Sequence, residues 1–211
     1  MTTPFRIALT FDAEHADRPH HLVGSEDRIR ETLGKLGVPA TFFVQGRWAE
    51  AFPDRARRIA DDGHLIGSHS HYHAPTRLLT DAGLHEDLKA AQGAIQAACG
   101  RDPVPWFRSP FGAGAGDAQI GEALAELGYR NVLWNVSGDD WDQRRTARQV
   151  ADEVVANALA HGDWAIVLYH TWSSLAHGTL KTTIKRLRDG GARFVTVDAL
   201  DPAAFPLPFD W

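Results

Sequence analysis

The sequence predicts an α/β fold in which parallel strands alternate with covering helices, and two observations carry that prediction. Short apolar runs of strand length recur between longer stretches of helical spacing about seven times, with no domain break, which implies a parallel sheet. The polar residues with chemical potential also fall just after strand ends: Asp12, His69, Arg108, Asp140 and His170. A (β/α) barrel collects its chemistry at that face, whereas an open doubly wound sheet concentrates it at one switch point. Both layouts fit the alternation, and the placement of the polar residues favours the barrel. No GxGxxG, phosphate loop, internal repeat or low-complexity linker occurs, and one domain is expected over residues 1–211.

The elements follow in order. Phe5 to Phe11 reads as a buried strand. Arg28 to Leu36 is helical through Ile29, Leu33 and Leu36, and Gly37 stops it. Ala40 to Val44 is a strand, Trp48 to Asp61 a helix, and His64 to Gly67 a short strand. Thr80 opens a long helix through Ala98, with Gly100 beyond it. Trp106 to Arg108 is a strand, Asp117 to Leu127 a helix and Arg130 to Val136 a strand. Thr146 to Leu159 is helical, Ala165 to Tyr169 a strand, Leu180 to Arg188 a helix and Phe194 to Val197 the last strand.

Bulk properties narrow the function classes. The 211 residues suffice for a full core, and 44% hydrophobic with 23% charged is ordinary for a globular chain. A net charge of −5 gives no electrostatic footprint for nucleic acid and no basic helix for a membrane surface. A single cysteine, Cys99, excludes an internal disulfide and reads as a small buried hydrophobe. Met1 to Pro4 is too short for a leader, and no apolar run nears the roughly 20 residues that span a bilayer. A cytoplasmic location is therefore expected for this chain as it stands, and an extracellular one if a segment precedes it. The oligomeric state is not legible.

The richest stretch is Gly67 to His73. His69 and His73 stand four residues apart, a spacing that puts both on one face of a helical turn, where two imidazoles can meet one metal ion. Asp12 and Glu14 end the first strand. Residues i and i+2 of a strand share a face, so Glu14 can supply a carboxylate, with Asp17 as a spare. Two His and one carboxylate suit a hydrolytic metal site. His71 points elsewhere on such a turn and reads as structural or surface, and His15, His20 and His21 read as surface residues of a loop. Tyr72 and Trp172 either stack on a sugar or pack a rim.

Five segments now stand in order: Thr10-Phe11-Asp12-Ala13-Glu14, His69-Ser70-His71-Tyr72-His73, Arg108-Ser109-Pro110-Phe111-Gly112, Asp140-Trp141 and Leu168-Tyr169-His170. In this order, over about Arg6 to Val197, they resemble the polysaccharide deacetylases, also called the NodB-homology family or carbohydrate esterase family four. Ala40 to Val44 and Gly63 to Gly67 add to the likeness.

The resemblance implies a distorted (β/α)7 barrel and a metal-dependent hydrolase of N-acetyl groups on sugars. It implies Asp12 as general base, His69 and His73 as metal ligands, and Arg108 as the partner of the base. Pro110, Phe111 and Gly112 form one groove wall, and Asp140 and Trp141 support the other. Leu168 lines the acyl pocket and His170 is the general acid, oriented by Asp140, with Asp139 as its competitor. One divalent ion is expected: zinc, with cobalt or nickel as alternatives. Two departures stand out. The family's commonest first motif has a second Asp as metal ligand where this chain has Ala13, so Glu14 is the expected replacement. Ser137 stands where many relatives have an Asp. The expected substrate is an N-acylated amino sugar in an oligosaccharide or cell-wall precursor. A non-sugar amide, such as a formamide or a cyclic amide or ureide, is the alternative within enzymes. A non-catalytic carbohydrate-binding module is the alternative outside them.

Overall fold

The computed structural model describes residues 4–14 and 24–200. Asp17, His15, His20 and His21 lie outside the described residues. The strands are β1 (Phe5–Ala13), β2 (Thr41–Val44), β3 (Leu65–Ser68), β4 (Trp106–Phe107), β5 (Arg130–Asn131), β6 (Val136–Ser137), β7 (Ala165–His170) and β8 (Ala192–Val195). The helices are α1 (Ser25–Leu36), α2 (Gly46–Ala51), α3 (Pro53–Asp61), α4 (Asp81–Cys99), α5 (Ala118–Glu126), α6 (Ala147–His161) and α7 (Ser174–Asp189). The expected α/β alternation is therefore present, and the chain forms two compact units.

The first unit holds β1 as far as Asp12, together with α1, β6, α6, β7, α7 and β8. Here β1 runs parallel to β7, from Ile7 opposite Ala165 to Asp12 opposite His170. It also runs parallel to β8, from Phe5 opposite Ala192 to Ala8 opposite Val195. β6 pairs with β7 in the same sense. Ile7, Ala8, Leu9 and Phe11 are fully buried, as a strand covered on both faces requires. α1 and α6 pack on α7, whose inward stripe is Ala176, Leu180, Ile184 and Leu187. Each such Leu or Ile stabilises the fold by about 1.5–3 kcal/mol through burial.

The second unit runs from Phe42 to Leu133, with Ala13 and Glu14. Its strands are ordered β5-β4-β3-β2, and β4 is parallel to both β3 and β5. α4 packs against α2, α3 and α5. Leu84, Leu88, Phe107, Ile120, Ala123, Leu124 and Tyr129 form one apolar cluster.

Several boundaries differ from the sequence reading, each for a local reason. The helix expected over Trp48 to Asp61 is two helices. Pro53 lacks an N–H to continue α2 and instead opens α3, with Phe52 in a non-helical conformation between them. The strand expected over Arg130 to Val136 is two short pieces. The carbonyls of Val132 and Leu133 accept from the Arg108 guanidinium at 2.9 and 3.3 Å, which diverts them from a ladder. α7 begins at Ser174, not Leu180, because the Ser173 hydroxyl caps the N–H groups of Leu175 and Ala176. The last strand begins and ends two residues early, at Ala192–Val195.

Cys99 is buried, and its thiol contacts the carbonyl oxygen of Ala56 at 3.5 Å. Burial pushes its pKa up to about 11. At pH 8 only about one thiol in a thousand is then ionised, and the folded protein should react far more slowly with a thiol reagent than the denatured chain does. Comparing labelling with and without denaturant checks this; equal rates would place Cys99 at the surface.

Candidate active site

In the second unit, the segment after β3 brings His69 and His73 together. They do not share a helical turn. The segment is a loop in which Ser70 and His73 take left-handed conformations, φ 62 and 59. Non-glycine residues held there cost on the order of 1–3 kcal/mol each, so surrounding contacts must enforce them. The His69 amide donates to the carbonyl of Val44 at 2.9 Å, and the His73 amide to the Ser70 hydroxyl at 2.9 Å. The carbonyls of Ser70 and His71 accept from the Gly46 and Arg47 amides at 2.9 and 3.3 Å. The Asp87 carboxylate on α4 accepts from the amides of His71 and Tyr72 at 2.8 and 3.0 Å. His71 is buried, with Nε2 3.8 Å from Glu50, and takes no part in the His69–His73 pair.

The loop delivers the two imidazoles nitrogen to nitrogen, with Nε2 atoms 3.2 Å apart. Glu14 Oε1 lies 3.4 Å from His73 Nε2 and 3.9 Å from His69 Nε2, and all three residues are buried or nearly so. The His69 tautomer is fixed by its other nitrogen. Nδ1 lies 2.9 Å from the carbonyl oxygen of Arg108, which can only accept, so Nδ1 carries the proton and Nε2 presents a lone pair. A tetrahedral ion with bonds of about 2.0–2.1 Å separates its ligand atoms by roughly 3.3 Å. The donor set fits a divalent metal on spacing and on chemistry. Glu14, and not the fully buried Ala13, supplies the carboxylate at this cluster.

Arg108 is fully buried. Its guanidinium donates to the Val132 and Leu133 carbonyls and stacks 4.1 Å from the Phe43 ring centre. The next residues form a tight turn in which Phe111 has φ 59. Asn131 holds the turn by accepting from the Ser109 amide at 3.1 Å and donating to the Ser109 hydroxyl at 2.9 Å. Pro110 and Gly112 are buried, while Phe111 is half exposed and meets the His73 ring edge-on at 4.6 Å. Tyr72 is exposed beside His71.

In the first unit, Asp12 and His170 end adjacent parallel strands in register. Asp12 is buried, and its carbonyl accepts from the Thr171 amide at 3.0 Å. Asp140 grips His170 twice. One carboxylate oxygen accepts the backbone N–H at 3.0 Å, and the other lies 2.9 Å from Nδ1. The Ser173 hydroxyl donates to the Asp140 carbonyl at 2.5 Å. Asp139, the competitor for that role, turns away. It has φ 51, bonds the Ser137 hydroxyl at 3.0 Å and faces Arg145 at 3.6 Å. Leu168 is buried opposite Thr10 and Ser137, and Trp141 is half exposed. Trp172 is buried, with its ring 5.3 Å from His170.

A family model described as polysaccharide deacetylase matches residues 1–132. The chain belongs to the polysaccharide deacetylase family. It is 34% identical over 195 residues to the peptidoglycan-N-acetylglucosamine deacetylase PgdA of Listeria monocytogenes, covering 92% of this chain but 38% of that protein. It is 33% identical over 164 residues to a chitooligosaccharide deacetylase of Azorhizobium caulinodans, covering 78% of this chain and 72% of the relative. A family-four carbohydrate esterase pseudoenzyme from Bacillus anthracis matches with a TM-score of 0.83 at 25% identity, covering 93% of this chain and 65% of that one. The fold is that of the family.

Asp87 and Ser173 escaped the sequence reading. Asp87 was detectable in principle: Leu84, Leu88, Ala91 and Ile95 form the buried stripe of α4, and position 87 falls on it. An acid on an apolar stripe asks for a partner.

Replacing Glu14 with Ala should weaken divalent-metal binding by roughly 10-fold or more, taking outer-shell losses as a lower bound. Competition against a chelating dye measures it. Unchanged affinity would reduce Glu14 to a loop carboxylate.

Proposed function

We propose that this chain removes the acetyl group from N-acetylated amino sugars in an oligosaccharide or cell-wall glycan, using one divalent metal ion, zinc by preference. The observation that carries the reading is the converging set of Glu14 and the two His Nε2 atoms, with the His69 tautomer already set for ligation. The named activities of the relatives favour a sugar amide over a formamide or cyclic amide. A family-four pseudoenzyme shares this fold, so the reading rests on the side chains and not on the fold.

Glu14, His69 and His73 would hold the ion, which when bound polarises the acyl carbonyl and makes water more acidic. Asp12 takes the proton from the attacking water. His170 gives a proton to the departing nitrogen, since an amine leaves poorly as an anion. Asp140 keeps the proton on Nδ1 of His170 and so aims the Nε2 position at the substrate. A backbone N–H near Phe111 offers a donor for the oxyanion. Phe111, Tyr72 and Trp141 offer exposed aromatic faces for sugar rings, and Leu168 an apolar lining for the acetyl methyl.

The zinc-loaded protein should release acetate from chitooligosaccharides, and His69→Ala should lose both metal and activity. Formate release or ring opening without acetate release would move the substrate outside sugars. No turnover of any amide by the loaded protein would leave it a binding module.

Activity should follow a bell-shaped pH profile if Asp12 acts as base and His170 as acid. Asp12→Asn should keep the metal and lose turnover by about 10²-fold or more, while His170→Asn should lose the basic limb. A basic limb unchanged in the His170 variant would remove His170 from proton transfer.

A further inference from the structure

We infer that Asp87 is a positioning residue for the metal centre, acting through the loop that carries both histidine ligands. The inference rests on the metal reading of Glu14, His69 and His73. Asp87 lies on α4, fifteen or sixteen positions from the residues it holds, and its side chain is buried. Its two oxygens accept two consecutive amides, those of His71 and Tyr72, at 2.8 and 3.0 Å. These peptides sit between the two ligands.

The loop needs such a partner. Its carbonyls at Ser70 and His71 are taken by the amides that open α2. The His71 amide is buried and requires an acceptor, and the partly buried Tyr72 amide beside it finds one on the same carboxylate. A carboxylate can give each of these amides an oxygen of its own, as Asp87 does. An amide side chain offers one oxygen and turns its NH₂ group against the second N–H. The grip fixes the left-handed turn at Ser70 on one side and at His73 on the other. It thereby sets the angle at which the two Nε2 atoms face each other across 3.2 Å. Asp87 touches neither histidine side chain among its hydrogen-bonded contacts, so its effect is exerted through the backbone.

The alternative is that Asp87 only stabilises the fold, and metal binding separates the two roles. Zinc affinity is measured on full-length protein by chelator competition for the wild type, Asp87→Asn, Asp87→Glu and Thr80→Ala. Thr80 caps the same helix through the Gly83 amide, away from the loop, and serves as the control for helix stability. Asp87→Asn should weaken zinc binding by about 10- to 100-fold, the usual consequence of disturbing a partner that orients ligands. Asp87→Glu keeps two acceptor oxygens but carries them one methylene further from the helix, so its affinity should fall measurably below wild type and stay above that of Asp87→Asn. Thr80→Ala should lower the melting temperature with affinity unchanged. Equal affinity in wild type and Asp87→Asn, or an equal loss in Thr80→Ala, would overturn the inference. If Asp87→Asn does not fold, Asp87→Glu at wild-type stability decides: a shifted affinity supports the role and an unshifted one refutes it. A wild-type protein that binds no zinc, cobalt or nickel would overturn the metal reading itself, a result distinct from either.

Discussion

One hydrogen bond, between His69 Nδ1 and the carbonyl oxygen of Arg108, governs what the loop after β3 can do. A neutral imidazole has one proton, and placing it on Nδ1 leaves Nε2 as an acceptor facing another nitrogen and a carboxylate. Arg108 can fix that proton because its own backbone is fixed. Its amide donates to the Ser68 carbonyl at 2.9 Å, and its guanidinium anchors to two further carbonyls and the face of Phe43. A cation seated among them would give the Glu14 carboxylate and the His69 lone pair a common partner. The buried arginine is therefore at least as much a scaffold as a reactive group.

The first unit solves a different problem. The proton donor proposed above, His170, must be held in one orientation yet stay free to lose its proton. Asp140 meets this by binding both the amide and the ring of His170, which leaves the imidazole little rotational freedom. Ser173 caps α7 and holds the Asp140 carbonyl with the same hydroxyl, so a helix start and the Asp140–His170 pair share one residue. Ser137, one of the two departures from the family pattern, builds a small turn with Asp139.

Much of this was legible in the sequence because strand ends and chemistry coincide. The apolar run from Ile7 to Phe11 announced a covered strand, and the residues after it announced the carboxylates. The spacing of His69 and His73 predicts that the two rings meet, as they do, but by a helical turn that the structure does not contain. A helical turn and a doubly left-handed loop both return the chain after four residues, and no propensity argument favours two non-glycine residues at positive φ. Tertiary contacts make that choice. The split of the Arg130 to Val136 strand was hidden for the same reason, because the side chain that diverts its carbonyls is more than twenty residues away. Asp139 and Asp140 are chemically equal in sequence, and only backbone direction distinguishes them.

Gly46 opens α2 beside the loop that carries His69 and His73. A Cβ there would collide with His71 Nδ1 and meet the Ala91 backbone at 3.0 Å. The amide of the same glycine holds the Ser70 carbonyl. Closeness of backbone to ring is thus part of how the loop is seated. The two positions are sterically coupled: a larger residue at 46 needs a smaller or rotated residue 71, and even then α4 sets a ceiling at Ala91. Neither residue is assigned to the chemistry, yet each narrows the substitutions open to the other.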